Sequence, residues 1–226
     1  KHPLFFSKHA KVLAGPFDPI TLPSHSLLFD NEVELGVLIG ASIPWRATPT
    51  PQQVEDALYG YVLLNDLTSR RFLIDDNGAL WRGKNLPNST SVGPLIIPIS
   101  TMKHLTNFIE PGTPNLTLSS SIARKGPCQH GTTEDMIFTV AELINELLKV
   151  TPLEPGDLIF TGTPGGTGFR ISKLTRLLGR ITDGKFKGPF IKKQEQSTGY
   201  LRVGDEVTIA GDWLGTQHFI IQGGNT

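Results

Sequence analysis

Asn31-Glu32-Val33-Glu34-Leu35-Gly36-Val37-Leu38-Ile39 is the stretch on which the architecture turns. Residues 33–39 form a short run dominated by aliphatic side chains, bounded by turn-forming residues, and this is the signature of a buried strand. Working outward, the same signature recurs at residues 60–64, 95–99, 157–161, 206–210 and 218–222. Two segments carry a helical period instead. Thr50-Pro51 followed by Val54, Ala57, Leu58 and Tyr61 offers an N-cap, a first-turn proline and a 3.6-residue stripe. From Thr133, the positions Ile137, Val140, Ile144 and Leu147 repeat the stripe, with Glu134 and Asp135 in the first turn and Lys149 in the last, as the helix dipole prefers. This second segment is expected to be the most regular helix, stopped by Pro152 and Pro155-Gly156. The expected fold class is mixed α/β, β-rich, with few short helices.

A chain of 226 residues and 24.7 kDa suits one domain spanning 1–226. At that size about 70% of the unfolded surface is buried on folding, so neither disulfides nor a structural metal is required. Lysine plus arginine balances aspartate plus glutamate at 21 each, which argues against a nucleic-acid partner. No apolar run approaches the ~18–20 residues of a membrane span, so no membrane partner is expected either. Gly 24 and Pro 17 favour short strands and turns over a helical bundle. Cys128 stands alone, which fits an intracellular compartment, cytoplasmic or else mitochondrial. The neutral total hides opposed blocks: residues 30–66 hold six acids against Arg46, and residues 170–193 hold eight bases against Asp183. The basic block is expected to be a solvated insertion with a short helix at 174–178.

The acidic block contains the sharpest chemical feature. On a strand, Glu32 and Glu34 project to the same side about 7 Å apart, at roughly 3.3 Å per residue. Two such carboxylates repel, more so when buried, and a cation or a shared proton must resolve the conflict. No Lys or Arg lies between Lys11 and Arg46, so a hard divalent ion bound through oxygen is one reading, and an exposed strand face is the other. Asp66, ending a second apolar strand with Arg70 shortly after, would be a third oxygen ligand; an Asx-turn or helix cap is its alternative. Gly83-Lys84 pairs a permissive backbone with a mobile charge, and the glycine-rich stretch 161–168 exposes N–H groups suited to a carboxylate or phosphate, or else is a plain turn. Among the histidines, His25 and His130 stand nearest this region in sequence, and a packing or surface role is the commoner one.

Taken in order, these motifs resemble the fumarylacetoacetate hydrolase family from Phe5 almost to Gln222. The resemblance rests on Phe6-Ser7-Lys8, residues 15–23, Glu32-Val33-Glu34-Leu35, Gly60-Tyr61 with Asn65-Asp66, Arg70, Gly83-Lys84, and Gly93-Pro94. It continues through Gln129, Thr133, Asp135-Met136-Ile137-Phe138, Pro155-Gly156-Asp157, residues 161–168 and Gly204-Asp205-Glu206-Val207. It implies a β-roll-like catalytic domain, a homodimer, and a divalent cation, Mg²⁺ first and Mn²⁺ or Ca²⁺ next, held by Glu32, Glu34 and Asp66. It also implies a small keto or diketo acid as the partner, Lys84 as the catalytic cation, and Arg70, Gly162, Thr163 and Gln129 on the substrate side. The implied reaction is metal-dependent hydrolysis of a C–C bond in a β-diketo acid or acylpyruvate. Oxaloacetate-type decarboxylation or keto–enol isomerisation is the alternative on the same metal-enolate chemistry. An inactive fold that binds a small acid or a partner is a further one.

Four departures from the family pattern qualify that expectation. Members that hydrolyse acylpyruvates carry a lid with a His and a Glu upstream of the Phe-x-Lys segment; this chain starts too late to include it, and its N-terminal lid is expected to be absent. Arg71 stands where an aspartate is usual, and Leu73 where a polar glutamine is frequent, which would suit a substrate with an apolar tail. The basic stretch 170–193 is longer than usual and is expected to act as a lid or dimer contact.

Overall fold

A computed structural model describes residues 2–23, 28–169 and 187–224. Two five-stranded sheets dominate the chain. The first orders its strands as Leu13–Ala14, Thr90–Pro98, Leu58–Asp66, Val33–Ile39 and Leu158–Phe160. The second runs Gly126–Thr132, Thr117–Ile122, Glu206–Gly211, Gly215–Gly223 and Ile20–Leu22. Pairing is antiparallel except where the short strands Leu13–Ala14 and Ile20–Leu22 join their sheet edges in parallel. The class is therefore mixed α/β and strand-rich, as the sequence indicates.

One hydrophobic core joins the sheets. Val33, Leu35, Val37 and Leu63 from the first sheet and Val207, Ile209, Phe219 and Ile221 from the second belong to a single buried cluster. A buried polar pin crosses the interface: Gln217 donates from Nε2 to the Leu63 carbonyl at 2.9 Å and to the Gly93 carbonyl at 2.8 Å, and accepts from Ser91. Satisfying each of these buried groups locks the sheets in one relative position, because an orphaned partner would cost about 1–3 kcal/mol. Gly60 is demanded by the pairing itself, since a Cβ there would sit 2.2 Å from the Ile97 carbonyl oxygen.

Both expected helices form, and both are shorter than the sequence periodicity predicts. The first spans Pro51–Ala57, capped by a reciprocal Thr50–Gln53 box, and Leu58 and Tyr61 pass into the next strand. There Tyr61 is buried against Phe108 and donates to the Gly112 carbonyl at 2.9 Å, so tertiary contacts claim the end of its helical stripe. The second helix starts at Val140, not near Thr133. Thr139 is its N-cap, in a box with Glu142, and the helix runs Val140–Leu147. Thr133 instead opens a single 3-10 turn, its hydroxyl buried between the Leu116 N–H and the Pro114 carbonyl. Those bonds brace a crossing between strands and cannot coexist with a continuous helix through 133–149.

Of the basic block, residues 170–186, with the helix expected at 174–178, lie outside the described residues. Lys187–Glu195 is helical, with Ile191 and Gln194 buried, and its last residue, Glu195, pairs with Arg71 at 3.5 Å. Among the described residues no helix is long and apolar enough to cross a membrane.

Candidate functional site

Antiparallel pairing of Val33–Ile39 with Leu58–Asp66 sets Val33 opposite Asn65 and Glu34 opposite Leu64. The Asp66 N–H donates to the Glu32 carbonyl at 2.8 Å, so the ladder runs one step beyond the strand start. Glu32 and Asp66 are thus cross-strand neighbours, and Glu34, two residues on, shares their face. Carboxylate oxygens of all three lie within 4.8 Å of one another, and all three residues are buried. The two sequence motifs form a single cluster, and the exposed-face reading of Glu32 and Glu34 is overturned.

Positive charge arrives from far along the chain. Lys84 contacts Glu32 and lies 2.7 Å from Asp66 Oδ2. Arg70, at the start of the helix Arg70–Asp75, contacts Glu32 and donates to Asp30 Oδ2 at 2.9 Å. Lys8 contacts the other oxygen of Asp66. Among the described residues no ion pair reaches Glu34, whose Oε2 instead accepts from the Gly162 N–H at 2.9 Å.

The titration behaviour follows from this uneven pairing. Burial, with the Asp66 charge second, pushes Glu34 up to about 8. Burial acts in the same sense on Glu32, but Lys84 and Arg70 outweigh it and hold that carboxyl below the usual range. Burial also opposes the Lys84 charge, yet Asp66 and Glu32 overcome it and hold the ammonium above the ordinary lysine value. For Lys8 burial prevails over Asp66 and lowers the pKa. Without further positive charge, then, one buried carboxyl in the cluster keeps its proton near neutrality. Glu34 is the orphan that a divalent ion would satisfy, and an all-oxygen donor set from Glu32, Glu34 and Asp66 suits a hard ion such as Mg²⁺, Mn²⁺ or Ca²⁺.

The glycine-rich loop turns N–H groups onto the protein's own carboxylates. Gly162 orients Glu34, while the N–H groups of Gly168 and Phe169 donate to Asp30 at 2.6 and 3.0 Å. Thr163 donates its hydroxyl to the Val33 carbonyl at 2.9 Å. These donors hold the protein's own carboxylates and strand. Gly162 has φ +94°, and Gly166 lies so close to the Cys128 carbonyl that a Cβ would stand 2.1 Å away, which explains the glycines. Gln129 is buried behind this loop. Its Nε2 donates to Thr163 Oγ1 at 2.7 Å and to the Pro164 carbonyl at 3.0 Å, while its Oε1 accepts from Val33 N at 3.1 Å. Gly83 likewise serves packing, since a Cβ there would meet Leu73 at 2.0 Å and the Ser69 carbonyl at 2.8 Å.

The cluster opens into a cavity of about 650 Å³. Glu32, Glu34, Asp66, Arg70, Lys84, Gly162 and Thr163 are all in its wall, as are Thr133, Asp135 and His130. Gln129 and Leu73 are not. His25 lies outside the described residues. Lys8 and Asp30 were not singled out from the sequence as partners of this cluster, because their partners Asp66 and Arg70 lie 58 and 40 residues away and no local pattern links them.

A family model described as fumarylacetoacetate (FAA) hydrolase C-terminal matches residues 1–221. A protein of Burkholderia multivorans, provisionally named a hydrolase, is 35% identical over 171 residues, which are 76% of this chain and 56% of that protein. The chain therefore matches little more than half the length of that curated relative. Among solved structures, a 2-hydroxyhepta-2,4-diene-1,7-dioate isomerase from Mycobacterium marinum superposes with a TM-score of 0.74 at 25% identity, covering 100% of this chain and 71% of its own. A fumarylacetoacetate hydrolase from the psychrophile Exiguobacterium antarcticum superposes at 0.72 with 23% identity, covering 97% and 66%, a likeness of fold.

Proposed function

The chain belongs to the fumarylacetoacetate hydrolase family, and from that premise we propose that it is a divalent-ion-dependent enzyme that cleaves a C–C bond in a β-diketo acid or acylpyruvate by hydrolysis. The observation that carries this reading is the buried Glu32–Glu34–Asp66 cluster, with Lys84 bridging two of its members, in the wall of a cavity of about 650 Å³. Glu32, Glu34 and Asp66 would hold the ion. When bound, the ion supplies a Lewis acid for the oxygens of a 2-oxo acid.

The chain's own groups have separate tasks. Lys84, held charged by its acidic neighbours, is an electrostatic partner for a developing oxyanion or enolate and not a proton acceptor. Arg70, engaging Glu32 and Asp30 together, keeps the Glu32 carboxylate in one orientation. The Gly162 N–H does the same for Glu34, and Gln129 holds the loop that carries it.

Keto–enol isomerisation is the second reading, favoured by the likeness to the Mycobacterium marinum isomerase at 25% identity. It needs the same cluster and Lys84 but no activated water. Incubating the Mg²⁺-loaded protein with an acylpyruvate and with oxaloacetate separates the outcomes. Pyruvate plus a free acid supports hydrolysis, CO₂ from oxaloacetate points to decarboxylation, and enol–keto interconversion without new products points to isomerisation. About one ion per chain is expected at millimolar Mg²⁺, lost in Glu34→Ala. No bound ion under those conditions would leave only a binding fold.

A further inference from the structure

The cavity that holds the acidic cluster also has aromatic and aliphatic groups in its wall. The Lys84 ammonium lies 5.6 Å from the Phe6 ring centroid, and Lys8 lies 5.4 Å from that of Phe160, so aromatic faces border the charged centre. The same wall includes Leu4, Phe5, Leu80, Ile137 and Phe138. Leu4 and Ile137 are 77% and 74% exposed, large aliphatic groups left in water at the edge of a cavity.

The charges in the wall point the same way. Among the described residues the only Lys or Arg side chains lining the cavity are Arg70 and Lys84, and both already contact carboxylates of the cluster. Outside the acidic cluster, the other ionisable wall groups among the described residues are His2, His130 and the acid Asp135. From the described residues of the wall, a carboxylate at the far end of a substrate would lose water without gaining an ammonium or guanidinium and would share the space with a like charge, a costly exchange. An aryl or alkyl group there would cover exposed apolar wall instead.

We propose that the site selects a 2-oxo acid with a single carboxylate and an apolar tail, and discriminates against dioates. This rests on the reading of the cluster as a divalent-ion site for 2-oxo acids. It departs from what the name of the Mycobacterium marinum neighbour implies for that protein, whose substrate is a dioate.

Three unreactive probes test it by calorimetry on the Mg²⁺-loaded protein. Oxamate presents the head alone, N-phenyloxamate adds an apolar tail, and N-oxalyl-β-alanine adds a second carboxylate. N-phenyloxamate is expected to bind at least about ten-fold tighter than oxamate through covered apolar area, and N-oxalyl-β-alanine no tighter than oxamate. Ile137→Lys, at a surface position where folding is not at stake, is expected to tighten N-oxalyl-β-alanine about five-fold by supplying a cation, with oxamate unchanged. N-oxalyl-β-alanine matching or exceeding N-phenyloxamate on the unmodified protein would overturn the selectivity while leaving the site intact. Failure of all three to bind would overturn the site reading itself, and the selectivity with it.

Discussion

Replacing Glu34 by glutamine is expected to stabilise the metal-free protein. Glu34 is buried, has no ion-pair partner among the described residues, and is pushed from 4.5 up to about 8 by burial and by Asp66. Its raised value means that its stabilising contribution is complete below its unfolded value and is lost as pH rises through about 8. Each decade by which the folded state holds the proton longer corresponds to about 1.4 kcal/mol. Between 4.5 and about 8 the metal-free wild type therefore loses roughly 4–5 kcal/mol that a glutamine does not lose. The amide oxygen can still accept from the Gly162 N–H. For a domain of this size about 2–4 °C accompanies each kcal/mol, so at pH 8.5 in EDTA the variant should melt roughly 8–20 °C above wild type. The gap should shrink by more than half at pH 5.5. Mg²⁺ should narrow the pH 8.5 gap, raising wild type by about 2.7 kcal/mol at a hundred-fold excess over Kd and the variant far less. A gap that does not change between those two pH values would refute the reasoning, as would equal stabilisation of both proteins by Mg²⁺.

Arg70→Met leaves Asp30 and Glu32 buried without their guanidinium and should cost about 3–5 kcal/mol in urea unfolding; a loss under about 1 kcal/mol would mean that other groups neutralise them. Lys84→Met should lower kcat for pyruvate release by about 10²–10³ while near-ultraviolet dichroism stays that of the folded protein, and unaltered kcat would remove Lys84 from the chemistry. Gln129→Ala orphans the buried Val33 N–H and releases the loop at Thr163 and Pro164, so a loss of about 2–4 kcal/mol is expected. If Gln129 instead held substrate, KM would rise with stability unchanged. Thr139→Ala should cost about 1 kcal/mol by removing the cap of Val140–Leu147, whereas Thr133→Ala should act through its strand-bracing hydroxyl and leave that helix intact by hydrogen exchange.

Local pattern sufficed where one element settles a residue's environment. Val33–Ile39 was legible to the residue because an apolar run between turn-formers has few other uses. Where two elements compete, the pattern misled. Tyr61 fits a helical stripe, yet its ring and hydroxyl are better satisfied against Phe108 and Gly112, and the strand prevails. Thr133 looks like the start of a helix until its hydroxyl is needed between residues 114 and 116. The loop 161–168 was recognisable as a set of N–H donors, but which carboxylates they hold was not, because Glu34 and Asp30 lie more than a hundred positions earlier.

By itself the sequence determined the class and the main strands, and it singled out Glu32, Glu34, Asp66 and Arg70 as charges in or shortly after apolar runs and Lys84 as a charge beside a glycine. Tertiary structure decided how they share charge. An antiparallel register is a long-range property, and only once Glu34 faces Leu64 does Asp66 stand beside Glu32. Only then do Lys8, Lys84 and Arg70 reach the cluster and leave Glu34 as its unpaired member. Electrostatic energy depends on distance through space and on burial, and neither is written in the spacing along the chain.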